Sequence, residues 1–188
     1  VDVYLIRHTA PDIAAGMCFG RLDVGVLPDV LEAAERLRAL LPATVPVVTN
    51  DSQRCRRLAT LLAGMLDSRL IVEERLREID FGAWEGRAWK EIPRAQTDVW
   101  SRDIWNNSAP EGETYAAMHS RVLAAWETLL LLDAPALVIV GCAGPLRALM
   151  TIALELPAEA FVRLHLDYGG IARLCDASGG WKLEFSNR

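Results

Sequence analysis

Cysteine is scarce and scattered: Cys18, Cys55, Cys142 and Cys175 are the only four in 188 residues. None forms a C-x-x-C pair, which excludes a zinc ribbon or a redox motif of that kind. Four are also too few to scaffold a chain of this length with disulfides, so a reduced interior is expected. Long apolar runs are missing too. The greasiest stretch, residues 129–140, is broken by Asp133 and Pro135 and falls short of the roughly 18 apolar residues that a membrane span needs. Positive charge is not in excess. A formal net charge of −5 and a pI near 5.3 exclude a bulk electrostatic grip on nucleic acid or an acidic membrane. The first residues carry no basic segment followed by an apolar run and a small-residue cleavage site, so a cytoplasmic setting is expected. There is no phosphate-binding G-x-x-x-x-G-K-[ST] loop, no dinucleotide glycine fingerprint, no H-E-x-x-H and no G-x-S-x-G elbow. Internal repeats, linkers and low-complexity segments are absent as well.

What is present is a core. Hydrophobic residues make up 52% of the chain, enough to fold one ordinary domain over residues 1–188 and to exclude wholesale disorder. Residues 3–6 read as a buried strand that runs into Arg7 and His8. A long loop with Pro11, Gly16, Gly20 and Gly25 follows, of the sort that often carries function. Val30, Ala34, Leu37 and Leu41 repeat at helical spacing after Pro28. Residues 45–49 form a second strand, and Cys55, Leu58, Leu62 and Leu66 line a helix that starts near Asp51. A weak strand at 70–72 and a loop at 78–86 come next. Residues 87–110 are polar but carry Trp89, Trp100 and Trp105, which predicts short helices in a separate small flap. The longest helix is expected over 113–132, a buried strand over 137–140, a tight turn over 141–144 and a helix over 145–154. Closing strands are expected at 164–166, 171–175 and 181–185. This alternation predicts an α/β fold, a three-layer α/β/α sandwich on a mainly parallel sheet. Ligands in such folds bind at the carboxyl ends of strands, which singles out Arg7-His8, Asn50-Arg54 and Gly141-Gly144.

A phosphoryl group needs a nucleophile in line and cations around its oxygens. The His8 imidazole is a competent nucleophile, and the Arg7 guanidinium donates in a fork to phosphate oxygens. Taken alone, the pair also suits a plain strand end. Arg54, in the first turn of its helix, would add to an anion-favouring terminus, or it is one solvated member of the run Arg54, Arg56, Arg57. Glu78 is a candidate general acid, because burial and a nearby phosphate push a carboxylic acid towards its protonated form. Asp80 and Glu85 compete for that role. Arg21, in the long loop beside Asp23, is placed to contact a phosphate or a ribose. Glu113 either binds substrate or complements a helix start. The tryptophans Trp84, Trp89, Trp100 and Trp105 form the flap's own small core or stack on an aromatic substrate. His119, in the long helix, and His165, in the expected strand, read as structural.

Five segments, taken in order, resemble the histidine phosphatase superfamily of phosphoglycerate-mutase-like enzymes. They are LIRHTAPD with CFGRLDV, QRCRRLATLLA, LREIDFGAWEG, PEGETYAAMHSRV and VIVGCAGPLRAL. Within that family the RHT opening and the CFGRLD string are most similar to the α-ribazole phosphatase branch of the cobalamin pathway. The resemblance implies a phosphoglycerate-mutase-like fold, no metal and no organic cofactor. It makes His8 the phosphorylated nucleophile, Arg7 and Arg54 the phosphate clamps and Glu78 the proton donor. Arg21, Cys142 and Ala143 join them as substrate-binding residues. The implied ligand is a small phosphorylated metabolite or inorganic phosphate, and the oligomeric state is left open, a homodimer included. The chain departs from the family at Cys142, where a second histidine is expected to donate to the phosphoryl oxygens. A thiol is a weak donor and a thiolate none, so the resemblance leaves two outcomes: a slowed phosphatase, or a phosphate-binding protein without catalysis. A phosphoglycerate-mutase-type transferase is a third reading, disfavoured by a short chain with little material to enclose an intermediate. Cys142 as a nucleophile of the cysteine-phosphatase type does not fit, since only four residues separate it from Arg147 and Pro145 removes an amide donor from the turn.

Overall fold

A computed structural model describes residues 1–188. Six strands form one sheet in the order β3-β2-β4-β1-β5-β6. They are β1 (Asp2–Arg7), β2 (Val47–Thr49), β3 (Leu70–Val72), β4 (Ala136–Gly141), β5 (Ile171–Ala177) and β6 (Gly180–Phe185). The first four run parallel, and β5 and β6 close the sheet as an antiparallel edge. Five α-helices accompany them: α1 (Val30–Arg38), α2 (Gln53–Met65), α3 (Arg94–Arg102), α4 (Tyr115–Leu129) and α5 (Ala143–Ala153).

The layering follows from the period of two along β1. Val3 and Leu5 pack with α4 and α5 on one face, while Tyr4 and Ile6 pack with α1 and α2 on the other. A parallel strand buried on both faces needs an unbroken apolar run, and β4 is buried at all six positions. Register then sets the site. Arg7 pairs with Gly141 and Thr49 with Val140, so His8, Asn50 and Cys142 leave the sheet side by side at its carboxyl edge.

Five expectations are corrected. Residues 164–166 are not a strand: a 3-10 stretch at Ala158–Arg163 precedes them, and the Leu166 carbonyl is taken by the Arg7 side chain at 2.8 Å. His165 is therefore exposed, bonded to Asp167 Oδ1 at 2.7 Å. Residues 141–144 are not a turn, because β4 runs to Gly141 and α5 begins at Ala143 with Cys142 as its N-cap. The long helix opens at Tyr115, since the Thr114 hydroxyl accepts the Ala117 N–H and fixes the start there. The aromatic cluster also divides. Trp84, Trp89 and Trp100 pack with Phe81, Cys18, Ile92 and Ala109, whereas Trp105 lies against Tyr115 and His119. Residues 87–110 are not detached. Cys18 exchanges hydrogen bonds with Arg87 and Gly86 at 2.8 Å, and Trp89 N–H donates to Gly16 O at 2.9 Å.

Ile139, fully buried on the central strand β4, tests this core. Ile139→Ala is expected to cost about 2–5 kcal/mol in urea unfolding, whereas Leu131→Ala, at 85% exposure, should stay within about 0.5 kcal/mol.

Candidate active site

The His8 ring is buried, and its Nδ1 lies 2.7 Å from the Thr9 carbonyl oxygen. A carbonyl only accepts, so Nδ1 carries the proton. The neutral ring then keeps its lone pair on Nε2, the atom free for attack. Arg7 is anchored through Nη1 to Leu166 O and lies 3.7 Å from the Tyr168 ring centroid. Burial lowers the Arg7 pKa, and the Arg147 cation lowers it further.

Arg54 reaches back from α2 to the first loop. Its Nη1 donates to Leu22 O at 2.9 Å and its Nη2 to Gly20 O. Burial works against its charge, but Cys142, Cys55 and Glu78 more than offset that, and its pKa is raised. The same loop is gripped from the other side by Glu85, whose carboxylate accepts the N–H groups of Gly20, Arg21, Leu22 and Phe81 at 2.9–3.0 Å. Fully engaged in that way, Glu85 is a loop clamp rather than a proton donor. The approach is close enough that a Cβ on Gly20 would lie 1.9 Å from Ile79 O.

Glu78 fits the acid role better than its neighbours. Its Oε2 accepts Gly144 N–H at 3.0 Å and its Oε1 accepts Ile79 N–H at 2.9 Å. Burial raises its pKa, with the Cys142 side chain adding to the rise and the two N–H donors and Arg54 pulling back. Gly144 is required here, since a Cβ would lie 2.1 Å from Glu78 Oε1. Asp80 instead accepts Gly82 N–H and faces Arg21 at 3.9 Å.

The Glu78 carboxyl stands between two cavities. One, about 140 Å³, is wholly polar and lined by residues that include Arg21, Ser52, Arg54 and Arg77. The other, about 220 Å³, is largely apolar, with Phe19, Phe81, Trp100, Ile104, Tyr115 and Phe161 among its walls and Ala143, Gly144 and Arg147 at its edge. Arg21 thus reaches the polar cavity, with its charge partly answered by Asp80 and by Glu113 at 3.6 Å. Trp100 reconciles the two tryptophan readings, for it belongs to the small aromatic core and also faces the apolar cavity.

Five buried side-chain polar atoms lack a hydrogen-bond partner, and four of them are Arg7 Nε, Thr9 Oγ1, Arg54 Nε and Arg147 Nε. Arg147, from the first turns of α5, is weighed in the sequence only as the arginine of a cysteine-phosphatase loop, and its other signal is a place inside VIVGCAGPLRAL. Asn50, singled out from the sequence only as a strand end, gains a definite role, and Arg121 was missed altogether. Asn50 donates to Leu76 O at 2.9 Å and accepts Ser52 N–H, tying the end of β2 to the segment before Glu78. Arg121 donates to the carbonyls of Arg75, Arg77 and Glu78 at 2.6–3.1 Å and grips both Glu113 oxygens. Glu113 is therefore part of this brace and stands before the helix instead of in it. No cluster of three or more His, Cys, Asp or Glu side chains is arranged to hold a metal ion, and no helix is long and apolar enough to cross a membrane.

Comparison with known proteins adds context to this geometry. The model of the histidine phosphatase superfamily (branch 1) matches residues 3–188. A putative phosphoserine phosphatase 2 of Hydrogenobacter thermophilus is 28% identical over 92% of this chain and 88% of its own length. A probable phosphoglycerate mutase GpmB of Klebsiella pneumoniae is 30% identical over 96% of this chain and 87% of its own. The crystal structure of the α-ribazole phosphatase from Shigella flexneri superposes with a TM-score of 0.90, covering 100% of this chain and 96% of that one; at 21% identity it speaks for the fold.

Arg121→Met strips three carbonyls and a carboxylate of their donor. It is expected to destabilise by about 3 kcal/mol, read as a lowered denaturation midpoint.

Proposed function

Because the chain belongs to the histidine phosphatase superfamily, whose relatives here are named as phosphatases and mutases, we propose that it is a phosphomonoesterase working through a phosphohistidine. The observation that carries this reading is the set of unpartnered buried nitrogens on Arg7, next to His8 in the chain, and on Arg54 and Arg147, from the helices that follow the neighbouring strands β2 and β4. Buried donors without partners are costly, and a tetrahedral dianion supplies acceptors for all three.

His8 Nε2 attacks phosphorus in line while the guanidinium groups hold the equatorial oxygens. Glu78 passes its proton to the leaving oxygen as the P–O bond breaks. It then takes a proton from the water that attacks the phosphohistidine, which returns His8 to its neutral form. Ala143 brings the start of α5 to the same site, where a helix N-terminus favours an anion, while Gly144 N–H serves Glu78 Oε2. Cys142 stands at the position of the second histidine, and because a thiol is a weak donor and a thiolate none, turnover is slowed by about 10²–10³-fold relative to a site with a full donor.

Glu78 also orients the substrate. With the phosphoryl group on the polar side, the leaving alcohol extends into the apolar cavity, roofed by the flap of residues 87–110. That shape favours a small metabolite with a flat apolar group, such as α-ribazole 5′-phosphate. A second reading, a phosphate-ligand binder without turnover, is favoured by Cys142 alone.

His8→Ala should abolish hydrolysis of both an aryl phosphate and α-ribazole 5′-phosphate, and acid-quenched labelled substrate should leave phosphate on residue 8. Full activity in that variant rules the mechanism out. Turnover absent while inorganic phosphate still raises the melting temperature decides for the binder, and Cys142→His should then restore hydrolysis. Glu78→Gln should slow an alkyl phosphate at least ten-fold more than a nitrophenyl phosphate, whose leaving group needs no proton. The pH profile follows from the raised Glu78 pKa. The acid form persists above the ordinary carboxylate range, and kcat falls as pH rises through the shifted value. Glu78→Gln should lack that limb.

A further inference from the structure

Cys55 takes no part in the chemistry above, yet it sits at the floor of the same site. Its Sγ lies 3.4 Å from Cys142 Sγ, and both residues are buried. The two thiols come from different elements, Cys55 from the first turn of α2 and Cys142 from the N-cap of α5. Those helices follow β2 and β4, which are neighbours in the sheet, so the backbone fixes the pair at short range. Asn50 marks the same point, with Nδ2 at 3.6 Å from Cys55 Sγ and 4.0 Å from Cys142 Sγ. The other two thiols have no such neighbour: Cys18 lies in the tryptophan cluster and Cys175 faces Glu184.

The surroundings make the pair unequal. The Cys142 pKa is lowered, by the Cys55 thiol that donates to it and by His8 and Arg54, against the effect of burial. Its position at a helix start acts in the same sense. The Cys55 pKa is raised, by burial and by the Cys142 sulfur beside it. One thiol ionises readily and its neighbour keeps a proton, the division of labour that stepwise oxidation to a disulfide uses.

We propose that Cys142 and Cys55 form a peroxide-responsive dithiol that closes to a disulfide beneath the phosphoryl site. The Cys142 thiolate attacks one oxygen of hydrogen peroxide. The O–O bond breaks, hydroxide leaves and is protonated to water, and the sulfur becomes a sulfenic acid. The Cys55 sulfur then attacks the Cys142 sulfur. The S–O bond breaks, and the departing hydroxyl leaves with the Cys55 proton as a second water. One peroxide is reduced to two waters while two thiols are oxidised to one disulfide. The sulfurs need only approach from 3.4 Å to about 2.05 Å. Neither sulfur lines the polar cavity, but Arg54 and Glu78 do, and both neighbour Cys142; the oxidant, the size of water, is to pass between them, where a seated phosphate blocks it. Closure draws the Cys142 sulfur towards α2 and away from the phosphoryl position, so the oxidised protein no longer turns over.

The test treats the fully reduced chain with excess hydrogen peroxide, then counts thiols after denaturation and maps the peptides. Free thiols should fall from four to two, with a mass loss of about 2 Da and one crosslinked peptide joining residues 55 and 142. Dithiothreitol should restore all four, and saturating inorganic phosphate should slow the loss several-fold. Cys55→Ser should stop at a sulfenic acid on Cys142 that dimedone traps. Persistence of four thiols in the unaltered chain, or a disulfide that uses Cys18 or Cys175, overturns the proposal without recourse to any variant. A 55–142 crosslink that forms equally fast with phosphate present upholds the dithiol and counts against the phosphate site. Phosphate-dependent stabilisation with no crosslink does the reverse.

Discussion

Like charges crowded into a buried place dominate this molecule. Arg7, Arg54 and Arg147 converge where three parallel strands end, and each keeps a buried nitrogen without a partner. Such crowding works against folding unless rigid neighbours hold every side chain in place. The neighbours here are backbone carbonyls: Leu166 O for Arg7 and Gly20 O and Leu22 O for Arg54. The first loop is in turn secured by the Glu85 carboxylate. The long glycine-bearing loop thus has a definite shape because two opposite charges, one guanidinium and one carboxylate, hold it from either side.

Much of this was legible in the chain. The apolar runs of residues 3–6 and before Gly141 announce buried strands, and the helical spacing after Pro28 and Asp51 places helices between them. Strand ends at Arg7, Thr49 and Gly141 follow from those runs, and with them the convergence of His8, Arg54 and Cys142. What the sequence concealed depends on partners distant along the chain. Arg121 reads as one more charge on a helix, and only the fold shows it bridging the carbonyls of residues 75, 77 and 78. Leu164 to Leu166 looks like a strand by composition, but its carbonyl serves an arginine instead of a ladder. Asp80 and Glu85 could not be separated from Glu78 by residue type. They differ in how many N–H groups each carboxylate accepts, which is a matter of geometry.

Position 142 links the fold to its chemistry. An N-cap residue at the end of a central strand points its side chain at whatever sits above the sheet, so a change there is felt by the reacting groups first. Cysteine fits without disturbing β4 or α5, because both are fixed by backbone register and the Cys142 side chain makes no capping hydrogen bond. Its partner Cys55 lies in the first turn of α2, and Asn50 packs between the two helix starts and the segment before Glu78. The sulfur pair therefore stems from the same parallel topology that assembles the arginines.

The partition made by Glu78 has an evolutionary consequence. In the reaction proposed above, bond making and bond breaking belong to one compartment, built from strand ends and helix starts that cannot shift without unravelling the sheet. Recognition of the alcohol belongs to the other, whose walls come partly from Phe19, Trp100 and Ile104 on loops and a peripheral segment. Drift in those walls can exchange one substrate for another while the reaction stays the same. A lineage built on this plan diversifies by retailoring its apolar compartment, and relatives with a shared fold but different named substrates are the pattern such a separation leaves behind.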